Sequence, residues 1–308
     1  MKKKKRNLIS LADLTASEIR QIFSLTKRMK SKKGFTTALK GKTLGLVFQK
    51  PSLRTRVSFE AGMYELGGRV VYLGPGDAGL DKRESVKDTA RVLSRYLDGI
   101  VARTFSQQTI DNLAEFSTIP VINGLSNLFH PCQVLSDIYT IKEKKKILRG
   151  LKITFIGDGN NVCRSLIYAA SKLGMNLTIA TPRGYEPGQD ILNKADLETI
   201  KSGSKITLTN NPLKAINNAD IVYTDVWVSM GDEGSRLQRL KDFKSYQLNS
   251  TLFKKAKPDC LVMHCLPAHR GEEITAEVID GPNSIVFDQA ENRLHVQKAI
   301  LLTLLNYK

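Results

Sequence analysis

The sequence has few of the residues that build disulfide frameworks and structural metal sites. Its 308 residues include only four cysteines and four histidines, and no two cysteines form a C-x-x-C pair. So sparse a set excludes a disulfide-rich scaffold and is typical of proteins from a reducing compartment. We therefore expect free thiols and a cytoplasmic location.

Long apolar runs and export signals are also missing. No apolar stretch reaches the length of about 18 residues that suggests a membrane-spanning helix. The basic residues 2–6 resemble the start of a signal peptide, but only two short apolar pairs, at 8–9 and 11–12, precede Asp13. Because the apolar core of a signal peptide is absent, we predict neither export nor a membrane partner.

Acidic residues are outnumbered, 30 against 47 lysines and arginines, which gives a net charge of +17. The basic residues cluster only at 2–6 and 142–149 and are otherwise mixed with acids. No RNA- or DNA-recognition pattern accompanies them, so solvated lysine-rich faces are favoured and no nucleic-acid partner is expected. A basic nucleic-acid-binding module on a degenerate enzyme fold is the alternative, and salt-sensitive DNA binding without catalysis would reveal it.

Short apolar segments alternate with amphipathic ones along the chain. This pattern predicts an α/β fold of two domains, each a parallel sheet flanked by helices, with helices joining them. Residues 1–146 form the expected first domain, with the C-terminal helix 289–308 packing back on it, and residues 147–288 form the second. The expected strands are 43–48, 69–73, 99–103, 120–123, 152–157, 176–181, 205–210, 221–225, 259–265 and 284–287. The expected helices include 16–29, 85–97, 107–116, 131–146, 162–173, 192–201 and 289–305.

Ligands of open α/β folds bind beyond the carboxyl ends of the strands. Polar and ionisable residues gather at these ends in both halves of the sequence, which predicts a ligand cleft formed by two domains. The segments concerned are "PSLRTR" (51–56), Arg103, "HPCQ" (130–133), "GDGNN" (157–161), "DVWVSMG" (225–231), "HCLPAHR" (264–270) and "DQAENR" (288–293).

The segment "PSLRTR" combines anion-binding groups at a strand-to-helix turn. A helix start offers unpaired backbone N–H groups, and Arg54 can donate to two phosphate oxygens at once. No glycine lies in the segment, so it is not a P-loop. Arg56 has two interpretations: it contacts the same ligand, or it pairs with Glu60 four residues later.

Two other segments resemble parts of cofactor or metal sites, but each lacks residues that such a site needs. "GDGNN" has Val162 in place of the third glycine of a dinucleotide-binding loop, and the next strand ends at Thr181 instead of an acid. "HCLP" places His264 beside Cys265, where the cysteine is either a small buried side chain or part of a nucleophilic pair. Further metal ligands are not spaced nearby, so we predict no cofactor and no metal.

Together these motifs resemble the aspartate/ornithine carbamoyltransferase family. "KPSLRTR", "HPCQ", "DVWVSMG", "HCLP" and "FDQAENR" occur in the family's order, and the resemblance extends from about Leu8 to the C-terminus. It implies transfer of a carbamoyl group from carbamoyl phosphate to the δ-amine of L-ornithine, in arginine biosynthesis or the arginine deiminase pathway. It also implies homotrimers or multiples of trimers, with active sites near subunit interfaces.

The resemblance assigns roles by matching positions. Arg54, Arg103, His130 and Cys265 are the expected catalytic residues. Carbamoyl phosphate is expected to contact Ser52, Leu53, Arg54, Thr55, Arg103, His130, Pro131, Cys132, Gln133, Cys265, Leu266 and Arg293. Ornithine is expected to contact Asn161, Asp225, Ser229 and Met230.

One position departs from the family pattern. Gly79 stands where many members carry a glutamine that reaches the neighbouring subunit's site. Either Lys82 or Arg83 supplies charge there instead, or the loop is solvated. The acceptor is a second open question: Asp225 disfavours aspartate and N-acetylornithine, and residues 229–231 disfavour putrescine, which has no α-carboxylate to bind.

Overall fold

The computed structural model describes residues 5–31, 36–77, 79, 84–229, 231 and 233–305. The chain divides into two compact units. Unit 1 contains the residues up to Tyr139 and those from Glu291 onward, and unit 2 is Thr140–Ala290. No helix in the described ranges combines the length and apolarity needed to cross a bilayer.

Unit 1 is built on a four-stranded parallel sheet in the order β2-β1-β3-β4. Its strands are β1 (Thr43–Phe48), β2 (Arg69–Leu73), β3 (Gly99–Arg103) and β4 (Val121–Leu125). Its helices are α1 (Ala16–Ser31), α2 (Leu53–Glu65), α3 (Val86–Tyr96), α4 (Gln107–Phe116) and the first part of α5 (Pro131–Lys145), after a short 3₁₀ turn at Leu11–Asp13. β1 and β3 are almost wholly buried, as expected for central parallel strands.

Unit 2 contains a five-stranded parallel sheet in the order β7-β6-β5-β8-β9. Its strands are β5 (Lys152–Ile156), β6 (Asn176–Ala180), β7 (Ile206–Thr209), β8 (Ile221–Thr224) and β9 (Leu261–His264). Its helices are α6 (Asn161–Leu173), α7 (Gln189–Ser202), α8 (Pro212–Ile216), α9 (Arg236–Asp242), α10 (Ser250–Phe253) and α11 (Ala276–Ile279), with 3₁₀ turns at Glu233–Ser235 and Lys244–Tyr246. The last helix, α12 (Val286–Leu305), begins in unit 2 and ends in unit 1.

Serine and asparagine caps explain where the helices that follow strands begin. Ser52 accepts a hydrogen bond from the backbone of Thr55 at the start of α2, and Ser106 caps α4 in the same way. In unit 2, Asn160 caps α6 through two backbone N–H groups. Such caps satisfy N–H groups that have no partner within the helix.

The predicted α/β class with two parallel sheets is confirmed, but one predicted strand is wrong. Residues 284–287 do not form a strand: Ser284 makes a single parallel bridge to Val262, and helix α12 begins two residues later at Val286. A run as short as Ile285-Val286-Phe287 has no periodicity that separates a strand from a buried helix start.

Candidate active site

In each sheet, successive strands lie first on one side of a starting strand and then on its other side. Ligands of open α/β sheets bind at the point where this order reverses. In unit 1 the chain adds β2 on one side of β1 and then β3 and β4 on the other. In unit 2 it adds β6 and β7 on one side of β5, then β8 and β9 on the other. The carboxyl ends of β1 and β3, and those of β5 and β8, are therefore the candidate binding edges.

The N-terminal turn of α2 occupies the edge beyond β1. Ser52 Oγ accepts from the backbone N–H of Thr55 at 3.3 Å, while the Leu53 side chain is 73 % exposed. Arg56 points along the helix instead: its Nε donates to Glu60 at 2.9 Å, and its guanidinium stacks over the Tyr72 ring. The second interpretation of Arg56, as a partner of Glu60, is therefore the one that the structure supports.

Arg293, from the part of α12 in unit 1, links two of the motif segments. Its guanidinium donates to Thr55 Oγ1 at 2.8 Å and to Gln133 Oε1. Gln133 in turn donates to Asp137 at 2.8 Å, and all four side chains are buried. Charge-assisted bonds of this kind hold side chains in fixed positions, so this network orients the first turns of α2 and α5 relative to each other.

His130 lies directly before α5, is buried, and is acted on by the charges of three arginines. Burial, and then the positive charges of Arg293, Arg103 and Arg54, hold the pKa of His130 well below its ordinary value of 6.5. Both causes disfavour the charged imidazolium. His130 is therefore a neutral imidazole at neutral pH, and it can donate one N–H to a ligand without adding a charge.

A depressed histidine pKa predicts a measurable dependence of stability on pH. The unfolded chain takes up the His130 proton near pH 6.5 and the folded protein only at lower pH, so acid favours unfolding. As the pH is lowered from about 7 to about 5, we expect the free energy of unfolding to decrease less steeply in His130→Asn than in the unchanged protein. Denaturant unfolding at several pH values measures this slope. The exposed His269→Asn variant is the control, and parallel slopes for His130→Asn and the unchanged protein would contradict the prediction.

In unit 2, Asp225 is the centre of a hydrogen-bond network beyond β8. Its Oδ2 accepts from Asn160 Nδ2 at 2.7 Å, which joins the carboxyl ends of β5 and β8. Its Oδ1 accepts from the backbone N–H of Val226 at 2.8 Å and from Cys265 Sγ at 2.9 Å. The carboxylate is 6 % exposed. A buried carboxylate fixed by several donors is suited to binding a cationic ligand group.

The loop after β9 is held by His264 and Glu273, which are both fully buried. His264 Nδ1 accepts from the backbone N–H of Leu266 at 2.9 Å, so its Nε2 carries the proton and donates to Glu273 at 3.0 Å. Leu266 has a left-handed φ of 56° and precedes a cis peptide bond to Pro267. Because both ring nitrogens of His264 have other partners, the geometry does not support a Cys265–His264 nucleophilic pair.

Cys265 differs from the other three cysteines, which are buried. Burial raises the pKa of Cys132 and of Cys260 to about 12 in each case. Ligand atoms of Asp225, His264 and Cys265 lie within 4.8 Å of one another, a spacing that could hold a metal ion. In the structure these atoms take part instead in the hydrogen bonds described above.

Sequence comparison decides which family carries this arrangement. The profile of the aspartate/ornithine carbamoyltransferase carbamoyl-P binding domain matches residues 6–143, and that of the Asp/Orn binding domain matches residues 149–304. The chain belongs to the aspartate/ornithine carbamoyltransferase family.

Individual members of the family are similar over nearly the whole chain. An ornithine carbamoyltransferase of Carboxydothermus hydrogenoformans is 52 % identical over 303 residues, which cover 97 % of each chain. The solved structure of ornithine carbamoyltransferase from Pyrococcus furiosus matches with a TM-score of 0.96 at 49 % identity, covering 99 % of each chain. The anabolic ornithine carbamoyltransferase from Campylobacter jejuni matches with a TM-score of 0.94 at 37 % identity, covering 98 % of this chain and all of that one (100 %).

Most of the residues that the family resemblance names lie in two groups, one in each unit. In unit 1, Arg54, Arg103 and Arg293 lie close enough to His130 for their charges to act on it, and Ser52 caps the helix that carries Arg54. Cys132 is wholly buried and donates to the backbone of Asn123 at 3.4 Å, so its side chain faces the core. The other residues named in unit 1 lie in the same segments: Leu53 and Thr55 in the first turn of α2, and Pro131 and Gln133 in the first turn of α5.

The second group lies in unit 2. Asp225 and Cys265 are in direct contact, Leu266 follows in the loop, and Asn161 is the first residue of α6. Ser229 is half-buried. Met230, and the proposed neighbouring-site residues Lys82 and Arg83, lie outside the described residues. Gly79 is described and has a left-handed φ of 54°.

Asn160 is a site residue that the sequence analysis missed. It bonds the Asp225 carboxylate through its amide nitrogen while its amide oxygen caps α6, accepting from Val162 and Cys163 at 3.0 and 3.1 Å. An asparagine just before an apolar helical pattern is a recognised cap signal, so its position could have been predicted. Its contact with a residue 65 positions later could not.

Asn160→Asp separates the two roles of this residue. Aspartate caps a helix as well as asparagine does, but it places a second carboxylate against Asp225. We expect the KM for ornithine to rise about tenfold at neutral pH, with the KM for carbamoyl phosphate unchanged. In acid, a proton shared by the two carboxylates restores the hydrogen bond between positions 160 and 225. The ratio of the variant's ornithine KM to that of the unchanged enzyme should therefore fall as the pH is lowered. A pH-independent ratio, or an equal rise in both KM values, would contradict a positioning role.

Proposed function

We propose that this family member transfers the carbamoyl group of carbamoyl phosphate to the δ-amine of L-ornithine, giving L-citrulline and phosphate. The observation that carries the choice of acceptor is the buried, fully oriented carboxylate of Asp225. Such a group favours an acceptor with an α-ammonium. It disfavours aspartate, which would bring a second carboxylate to this site, and N-acetylornithine, whose α-nitrogen is uncharged.

The cations of unit 1 suit carbamoyl phosphate. The start of α2 and the guanidinium of Arg54, with Arg103, offset the charge of the phosphate. Ser52, Leu53 and Thr55 add hydroxyl and backbone donors. The carbamoyl end of the substrate contacts His130, Gln133 and Arg293 in this proposal. The N–H of the neutral His130 can donate to the carbonyl oxygen of the substrate.

The reaction needs charge stabilisation on the donor and a neutral amine on the acceptor. The δ-nitrogen attacks the carbonyl carbon, and negative charge develops on the carbonyl oxygen, where donors from Arg54, Thr55 and His130 lower the barrier. The bond from carbon to the phosphate oxygen then breaks, and the proton lost by the nitrogen leaves with the phosphate. The amine is itself the nucleophile, so we assign Cys265 to positioning and propose no cofactor.

The groups of unit 2 suit ornithine. Asp225 and Ser229 bind the α-ammonium in this proposal, and Asn161 with the Met230 backbone binds the α-carboxylate. Cys265 and the Leu266 carbonyl face the δ-amine. The direct contact of Cys265 Sγ with Asp225 supports this arrangement, because side chains so close together can both contact a single bound amino acid, one near its α-nitrogen and the other toward its δ-nitrogen.

Assembly, location and pathway belong to the same proposal. The family resemblance implies a homotrimer or a multiple of trimers, and the free cysteines suit a cytoplasmic location. A similar protein of Pyrococcus furiosus, 52 % identical over 299 residues, is named an anabolic ornithine carbamoyltransferase, which supports a role in arginine biosynthesis.

A comparison of acceptors tests the proposed function. Purified enzyme is given carbamoyl phosphate with L-ornithine, putrescine, N-acetylornithine or L-aspartate, and the ureido product is quantified in each case. We expect ornithine to give a kcat/KM at least about 100-fold above the others, because N-acetylornithine leaves the buried Asp225 carboxylate without a cation, aspartate adds a second carboxylate, and putrescine has no α-carboxylate. Equal use of aspartate or N-acetylornithine would overturn the assignment of Asp225, and equal use of putrescine would overturn the proposed α-carboxylate contacts of Asn161 and Met230.

A further inference from the structure

Unit 2 has a cavity that the proposed reaction does not use. Its volume is about 350 Å³, and it lies on one face of the sheet across β5, β6 and β7, with α8 along one side. Lys152 and Asn176, the first residues of β5 and β6, are part of its lining. The cavity is therefore at the amino ends of these strands, whereas Asn160 and Asp225 follow the carboxyl ends of β5 and β8.

The floor of the cavity is polar, which is unusual for the face of a parallel sheet. Thr154, Thr178 and Thr207 are paired in register across three adjacent strands, so their side chains form one row. The residues that alternate with them, such as Ile153 and Leu177, point to the opposite face and are buried. Parallel sheets normally carry apolar residues on both faces. Thr154 donates its hydroxyl to the carbonyl oxygen of Ala215 in α8 at 2.8 Å, so α8 covers that end of the row, whereas Thr178 and Thr207 are only half-buried.

The rim of the cavity is positively charged. Lys152, Lys205 and Lys214 line it, and among the described lining residues none is acidic. Within the residues that the structure describes, these three lysines form hydrogen bonds through their backbone N–H groups, and their ammonium groups make no hydrogen bond or ion pair. Asp220, which accepts from the backbone N–H of Lys152, is paired with Lys257 and does not line the cavity.

We propose that this cavity is a binding site for a small, multiply charged oxyanion, such as a diphosphate, a phosphate ester or a tricarboxylate. Three lysines line the cavity together with the half-buried Thr178 and Thr207, and ammonium and hydroxyl groups both hydrogen-bond to oxyanions. The volume lies at the lower end of the range for small-molecule sites and accommodates an anion of this size. The site is separate from the phosphate-binding groups of unit 1 and goes beyond the proposed transfer reaction.

Calorimetric titration of the full-length protein with pyrophosphate tests the site. The catalytic phosphate site is first saturated with phosphonoacetamide, which carries a methylene group in place of the ester oxygen of carbamoyl phosphate and cannot transfer its acyl group. The double variant Lys205→Ala/Lys214→Ala removes two rim charges. The matched control, Lys254→Ala/Lys255→Ala, removes two exposed charges of the same unit outside the cavity. Thr178→Val removes a floor hydroxyl while keeping the side-chain shape.

We expect saturable pyrophosphate binding to the unchanged protein, a Kd at least about tenfold higher in the rim variant, and an unchanged Kd in the control. Thr178→Val should raise the Kd about threefold with no change in net charge. A parallel titration with citrate distinguishes a general oxyanion site from one that selects phosphates. Absent binding, or equal loss in the rim and control variants, would overturn the proposal. These outcomes do not depend on citrulline formation, so failure here and failure of the proposed function are distinguishable.

Discussion

Arg54→Gln is expected to lower kcat/KM for carbamoyl phosphate by about 10³-fold. Arg54 lies in the first turn of α2, and its charge is one of three that act on the buried His130. In the proposed reaction its guanidinium contacts the phosphate and the carbonyl oxygen, so its loss weakens both binding and charge stabilisation. Glutamine keeps the helix propensity and part of the side-chain volume. Steady-state kinetics with varied carbamoyl phosphate measure the change.

Arg56→Gln is the matched control for that experiment. Arg56 lies two residues further along the same helix, and its removal changes the net charge equally, but its side chain bonds Glu60 and stacks on Tyr72. We expect a change in kcat/KM of no more than about threefold, because an exposed pair of this kind contributes little. If the two variants were impaired equally, the effect would be one of general charge or helix stability, and the role assigned to Arg54 would be wrong.

Asp225→Asn is expected to raise the KM for ornithine by about 10- to 100-fold while leaving the KM for carbamoyl phosphate unchanged. The variant loses the negative charge proposed to bind the α-ammonium. Its amide still offers one oxygen to the donor of Asn160 and keeps the side-chain size, so the network beyond β5 and β8 is altered rather than removed. Kinetics with each substrate varied in turn separate the two KM values.

The second readout for Asp225 is acceptor choice. The same variant should reduce the preference for ornithine over N-acetylornithine, because the penalty for an uncharged α-nitrogen disappears. Asp196→Asn, an exposed change of equal charge on α7, should leave all parameters within about twofold. An Asp225→Asn enzyme with the original ornithine KM would exclude the proposed contact.

The strands could be predicted because buried parallel strands appear in the sequence as short runs rich in valine and isoleucine. The prediction failed at 284–287, where the same composition begins a helix, because the local pattern does not show that this segment forms a single bridge, from Ser284 to Val262, before α12 begins. The family motifs likewise indicated which segments of the chain carry the proposed site residues. Their local chemistry did not indicate that Arg293 would hold Thr55 and Gln133 together.

Two features lay beyond the sequence because they depend on which strands become neighbours. The bond from Asn160 to Asp225 exists because β5 pairs with β8. The row formed by Thr154, Thr178 and Thr207 exists because β5, β6 and β7 pair in one particular register. In each case an ordinary cap residue or strand residue gains a role only through tertiary pairing.

The most direct test of the proposed carbamoyl transfer follows the carbamoyl carbon itself. Enzyme, L-ornithine and carbamoyl phosphate labelled with ¹³C are combined, and ¹³C and ³¹P NMR spectra are recorded as the reaction proceeds. We expect the label to move into the ureido carbon of citrulline while inorganic phosphate appears at the same rate, in equal amounts. Label released as cyanate or carbonate without citrulline, or phosphate transferred to the amine, would contradict it.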